Sequence, residues 1–214
     1  MTDPTRVLII DDHPLFRRGL SQLLELARSF ALVGEAASGQ EGIELARRLD
    51  PDLILLDLNM TGMSGVETLS TLRDLGIESR IILVTVSNAP EDLVAAIRAG
   101  ADGYILKDNE PDEMLALIDA AMHGRTAISP ELTSLLATAL REERIVEQRS
   151  QVALTERETA ILKYLAAGMS NKLIARELDI MEGTVKVHIR NLLKKLKFRS
   201  RVEAAVWAVA NGLS

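Results

Sequence analysis

The sequence predicts a doubly wound α/β domain on a five-stranded parallel sheet, followed by an all-α domain of four helices. Three observations predict it. Short apolar runs alternate with helix-periodic segments over residues 1–125, whereas residues 153–214 hold helical patterns only. The charge changes sign between these parts, from net −10 over residues 1–125, through −1 over 126–150, to +5 over 151–214. An acidic module joined to a basic one implies different partners, the second a polyanion.

At 214 residues and 47% hydrophobic content, the chain can bury one large core or two smaller ones, and two domains is the expectation. It contains no cysteine, which excludes disulfides and thiolate metal sites. Asp3 stands where a secretory leader carries basic residues, and VLII is too short for its apolar region. No apolar run approaches the ~20 residues that span a bilayer. The expected location is cytoplasmic, with no membrane partner.

The five apolar runs are VLII (7–10), LVGEAA (32–37), LILLD (53–57), IILV (81–84) and YILK (104–107). Each is too short for a helix and rich in Val, Ile and Leu. Between them, sets such as Leu20, Leu23, Leu24 and Ile43, Leu45, Ala46 follow helical spacing. Parallel strands need crossover helices, which cover both faces of the sheet.

In such sheets, ligands bind beyond the carboxyl ends of the strands. Asp11 and Asp12 follow VLII directly, Asp57 ends LILLD, Thr85 follows IILV, and Lys107 ends YILK. Three carboxylates in one crevice repel each other, and a hard oxygen-seeking dication relieves that repulsion; Mg²⁺ fits best. A cation beside a nucleophilic carboxylate, a hydroxyl and a lysine suits phosphoryl transfer. The competing expectation is that Asp11 and Asp12 merely cap the helix beginning near Pro14.

VLIIDDHP, LILLDLNMTGMSG, IILVTVSN and GADGYILKD resemble the motifs of response-regulator receiver domains. The resemblance implies that Asp57 accepts phosphate from a sensor histidine kinase. It further implies Mg²⁺ held by Asp12, Asp57 and the backbone carbonyl of Asn59, with Asp11 acting through water. Thr85 would hydrogen-bond the phosphoryl group, Lys107 would pair with it, and Tyr104 would be the aromatic switch that follows Thr85. Thr61 departs from the family, which usually has proline here, so a less rigid turn is expected, with Gly62 free to adopt positive φ.

Two enzyme readings fare worse. A haloacid-dehalogenase-type phosphatase places a second aspartate two residues after its nucleophile, and this chain has Asn59. A flavin domain needs a hydroxyl- and glycine-rich phosphate loop where DDHPLF offers carboxylates. The expectation is a regulator and not an enzyme. A receiver working as a phosphate-independent interaction domain is the alternative from another class, and the full acidic set argues against it.

Leu132, Leu135, Leu136 and Leu140 predict an amphipathic helix over 129–144, and REERIVEQRSQV predicts a tether. The expected division is therefore 1–125, a linker helix and tether over 126–152, and 153–214. In the last part, Thr155 with Glu158 reads as a capping box ahead of Ile161, Leu162 and Leu165. Gly168 should end that helix and Ser170 cap the next; a third is expected from about Thr184 and a fourth over 202–210.

Between Thr184 and Arg201 lie seven lysines and arginines and no acid. At 100° per residue, Val185, Ile189, Leu192, Leu193 and Leu196 share one side, opposite Lys186, Arg190 and Lys194. Val187 falls on the basic side, where a thymine methyl could meet it. Short helices, a turn and a basic helix together predict a helix-turn-helix.

From Leu154 to Val206 the chain resembles the LuxR-type DNA-binding domain, and the order of the two modules resembles the NarL/FixJ family of response regulators. The resemblance implies promoter DNA, RNA polymerase and a second copy on DNA as partners, and nitrate or nitrite as the upstream signal. Lys186, Val187 and Arg190 would read bases, while Ser170, Asn171, Lys172 and Thr184 would contact phosphates. Arg190 replaces a lysine of the pattern, and Met181 replaces a capping Ser or Thr. Val202, Ala205, Val206 and Val209 offer a stripe either for dimerisation or for packing within the module. In such regulators the unmodified receiver covers the recognition helix.

Overall fold

A computed structural model describes residues 3–123 and 154–213. The predicted helix over 129–144 and the tether lie outside the described residues. The first part holds β1 (Thr5–Ile10), α1 (Pro14–Leu26), β2 (Phe30–Ala36), α2 (Gly39–Leu49), β3 (Leu53–Asp57), α3 (Gly65–Asp74), β4 (Arg80–Thr85), α4 (Pro90–Ala99), β5 (Gly103–Leu106) and α5 (Pro111–Met122). The second holds α6 (Glu156–Ala166), α7 (Asn171–Glu177), α8 (Glu182–Leu196) and α9 (Arg201–Ala210).

All strand pairings are parallel, in the order β2-β1-β3-β4-β5. Strand order reverses between β1 and β3, so their carboxyl ends flank the crevice where doubly wound sheets bind ligands. β3 is buried throughout, and β1 and β4 are buried beyond their first residues, because alternate side chains feed opposite layers. Leu8, Ile10, Ile54 and Leu56 pack toward α2, α3 and α4, while Val7, Ile9, Leu53 and Leu55 pack toward α1 and α5.

In the second part, Ile161, Leu165, Ile174, Val185, Ile189, Leu192 and Ala208 form a separate core. Thr155 and Glu158 make the predicted capping box, and Ser170 caps α7 by accepting from the Leu173 N–H. Gly168 takes φ +68° just after α6. The helix α8 begins at Glu182, two residues earlier than predicted. Met181 is its N-cap and supplies no side-chain hydrogen bond.

Candidate functional site

The ends of three strands assemble one acidic pocket. Asp11 follows β1, Asp57 closes β3, and Lys107 follows β5, whose backbone N–H is held by Thr85 O at 2.7 Å. Lys107 Nζ bridges Asp11 Oδ2 at 2.7 Å and Asp57 Oδ2 at 2.9 Å. The Phe16 ring lies 4.5 Å from the ammonium, a cation–π contact that holds it from the α1 side. The Thr85 hydroxyl accepts from Asn59 Nδ2 at 3.3 Å and from the Ser87 N–H at 3.0 Å. Tyr104 points inward and donates to Ser87 O at 2.9 Å.

Asp57 is only 2% exposed, and burial raises its pKa against the opposing pull of Lys107. Asp12 is shifted the other way: the Thr61 backbone N–H and then its hydroxyl, both bonded to Oδ2, hold its carboxyl below the ordinary range. Burial pushes the Tyr104 phenol up to about 12, so it stays a neutral donor.

The helix-capping expectation for the aspartates fails. His13 is the N-cap of α1, and the Asp11 side chain reaches no N–H of the helix itself, accepting from the His13 backbone N–H at 2.7 Å and from Lys107. Both carboxylates are thereby left to the pocket. Ligand atoms of Asp11, Asp12, His13 and Asp57 all lie within 4.8 Å of one another. Asp12 Oδ1 and Asp57 Oδ2 are buried without a well-directed hydrogen bond, although His13 Nδ1 and Lys107 Nζ lie 3.0 and 2.9 Å from them. Such oxygens fit a hard dication.

In the second part, α8 buries Val185, Ile189, Leu192 and Leu196 and turns the opposite face outward. Side chains of Lys186 and Arg190 are 63% and 64% exposed, and Val187 is 53% exposed. Thr184 and Lys172 are exposed beside them, whereas Ser170 and Asn171 are buried. The basic stretch is not a single helix: Lys197 ends α8 at φ +55°, and Arg201 opens α9 fully buried.

Residues 7–119 match the response regulator receiver domain, and residues 152–208 match the bacterial regulatory proteins of the luxR family. This chain belongs to the LuxR-type response regulators. It is 53% identical over 205 residues to the nitrate/nitrite response regulator protein NarL of Escherichia coli (strain K12), covering 96% of this chain and 95% of that one. A nitrate/nitrite response regulator homologue of Haemophilus influenzae is 50% identical, covering 96% and 97%. The solved response regulator ChrA of a heme-sensing two-component system is 31% identical with a TM-score of 0.53, covering 100% of both chains. The LuxR-type regulator is thus a phosphorylation-controlled, DNA-binding transcription regulator.

Its two modules touch, and not as the family resemblance implied. The receiver leaves Lys186, Val187 and Arg190 of α8 exposed and covers α9 instead. Val202 and Val206 belong to the same apolar cluster as Leu93, Val94 and Ile97 of α4, while Ala204, Ala205 and Ala208 face the second module's own core. The stripe of α9 therefore serves both packings. Gly100, at φ +104° after α4, lies so close that a Cβ there would meet Arg199 Cβ at 2.9 Å. Arg199 faces Asp74 at 3.6 Å, and Arg190 faces Glu78 at 3.9 Å. Arg201, bonded to Asn171 Oδ1 and Met169 O, is held down to about 10 by burial, then by Arg80 across the junction, with Asp102 opposing.

Sequence reasoning passed over His13, Phe16 and Glu78 in the LuxR-type regulator. The first two stand in DDHPLF, which gives their nearness to the aspartates but not their direction. Thr61 was singled out as a looser turn residue, yet it ties that turn to Asp12 with two hydrogen bonds. Gly62 takes φ +84° as expected.

Proposed function

We propose that Asp57 is the phospho-acceptor, taking its phosphoryl group from a histidine of a sensor kinase. A carboxylate oxygen attacks phosphorus, the bond from phosphorus to the donor imidazole breaks, and that electron pair stays on the imidazole. The supporting observation is the position of Asp57: buried at a strand end, 2.9 Å from Lys107 Nζ, among two further carboxylates. Asp12, Asp57 and the Asn59 carbonyl would hold Mg²⁺, with Asp11 acting through water. When bound, the ion offsets charge on the transferring group. Lys107 pairs with the arriving phosphoryl oxygens and the Thr85 hydroxyl donates to them.

Thr85 is bonded to Ser87, and Ser87 to Tyr104. Movement of Thr85 toward the phosphoryl group pulls on this chain and, through the loop before α4, on the surface that holds α9. Release of α9 exposes Val202 and Val206 for pairing with a second copy on DNA. Lys186, Val187 and Arg190 then read base edges of promoter DNA, with Thr184 and Lys172 on phosphates and Ser170 and Asn171 joining once Arg201 shifts. RNA polymerase is the downstream partner, the cytoplasm the location, and nitrate or nitrite the upstream signal, by likeness to the relatives. Among the described residues no helix is long and apolar enough to cross a membrane.

Weighing the protein after treatment with acetyl phosphate and Mg²⁺ tests the acceptor. One phosphoryl adduct is expected on the wild type and none on Asp57→Ala; an adduct of equal yield on the variant defeats the assignment. The closed arrangement requires fragment 151–214 to bind promoter DNA more tightly than the unphosphorylated full chain.

A further inference from the structure

The imidazole of His13 leans into the acidic pocket although nothing in the local fold asks it to. It is the N-cap of α1 but makes no side-chain capping bond, and its side chain is 66% exposed. Its Nδ1 nevertheless lies 3.0 Å from Asp12 Oδ1 and 3.6 Å from both Asp11 Oδ1 and Asp57 Oδ2. Two donors bound at right angles, each ~2.1 Å from one ion, stand about 3.0 Å apart, so the Asp12–His13 spacing suits a shared cation.

Thr61 fixes which oxygen of Asp12 is on offer. Its N–H and hydroxyl occupy Oδ2 at 2.8 and 3.0 Å, and Oδ1, the oxygen beside the imidazole, is left buried without a directed partner. The pocket therefore presents a nitrogen together with carboxylate oxygens.

An all-oxygen set suits Mg²⁺, whereas imidazole favours first-row transition dications. We infer that His13 is a further ligand of the cation site, and that it shifts the pocket's preference from Mg²⁺ toward a first-row transition dication. This rests on the reading of the aspartate cluster as a cation site. Cation identity then becomes an input to the regulator beside phosphorylation.

Titration calorimetry of the full chain with Co²⁺ and with Mg²⁺, read alongside the visible absorption of bound Co²⁺, tests it. The wild type should bind Co²⁺ at least ten-fold more tightly than Mg²⁺. His13→Ala should reduce that ratio about ten-fold and shift the Co²⁺ absorption band, because the loss for Co²⁺ exceeds any loss for Mg²⁺. An unshifted melting temperature of the metal-free variant shows that the fold is intact. An unaltered Co²⁺ to Mg²⁺ ratio and band in His13→Ala would overturn the inference while leaving the cation site standing, as would equal losses for both ions. If neither ion bound the wild type, the cation reading itself would fall.

Discussion

Thr61 donates twice to one oxygen of Asp12, from its backbone N–H at 2.8 Å and from its hydroxyl at 3.0 Å. Proline, the residue usual at this turn in the family, can do neither. Both bonds favour the charged carboxylate, and each is worth up to ~1.5–3 kcal/mol when shielded from water, less at this partly open position.

Thr61→Pro should therefore destabilise the protein at pH 7. Proline stiffens the unfolded chain by ~0.4–1 kcal/mol, so the net loss is about 1 kcal/mol. A depressed folded pKa stabilises above the unfolded value, and that contribution disappears as pH falls through the folded pKa. The deficit of the variant should accordingly shrink in acid. Denaturant melts at pH 7 and below pH 3 check this; an equal deficit at both would remove Asp12 as its cause.

Asp57 carries the opposite sign. Its folded pKa is raised by burial, so the folded state binds protons more readily than the unfolded chain, and its relative contribution weakens as pH rises from the ordinary aspartate range through the folded pKa. Asp57→Asn removes a buried charge while Lys107 keeps Asp11 at 2.7 Å. A gain in stability at pH 7 is expected, diminishing in acid. Calorimetric melting of both proteins across this range should show the two curves converging at low pH.

Met181 caps α8 without a side-chain acceptor, and the Thr184 N–H turns back to the Met181 carbonyl at 2.9 Å instead. Met181→Ser supplies the acceptor and should stabilise the second module by about 1 kcal/mol. An unchanged or lowered melting temperature would count against it.

Asp74 and Glu78 hold Arg199 and Arg190 across the junction at 3.6 and 3.9 Å. Each exposed pair contributes less than ~1 kcal/mol, and salt screens it. Reversing both, with Asp74→Lys and Glu78→Lys, should open the unphosphorylated protein and raise its radius of gyration in solution scattering. High salt should move the wild type in the same direction. No change in either would place the closed contact wholly on the apolar packing of α9.

The parallel sheet, the gathering of acids at its strand ends and the outward basic face of α8 are legible in the sequence alone. Each follows from local rules: short unbroken apolar runs must lie inside, acids at strand ends must converge where crossovers all run one way, and a helix with one apolar side must turn its other side out. Val187 illustrates the strength of this, since its place on the wheel foretold its exposure. The seven basic residues show its limit, because counting charge could not say that Arg201 turns inward to Asn171 or that Lys197 ends the helix.

By itself, then, the sequence determined which elements form and which of their faces carry chemistry, because helical and strand periodicities are properties of neighbours along the chain. Only tertiary structure decided that His13 leans toward Asp12, that Thr61 bonds Asp12, and that Val202 and Val206 spend their apolar surface on α4. Those are contacts between segments far apart in the chain or between side chains with several rotamers. Their direction is selected by whatever surface arrives opposite them, and no local pattern encodes that arrival.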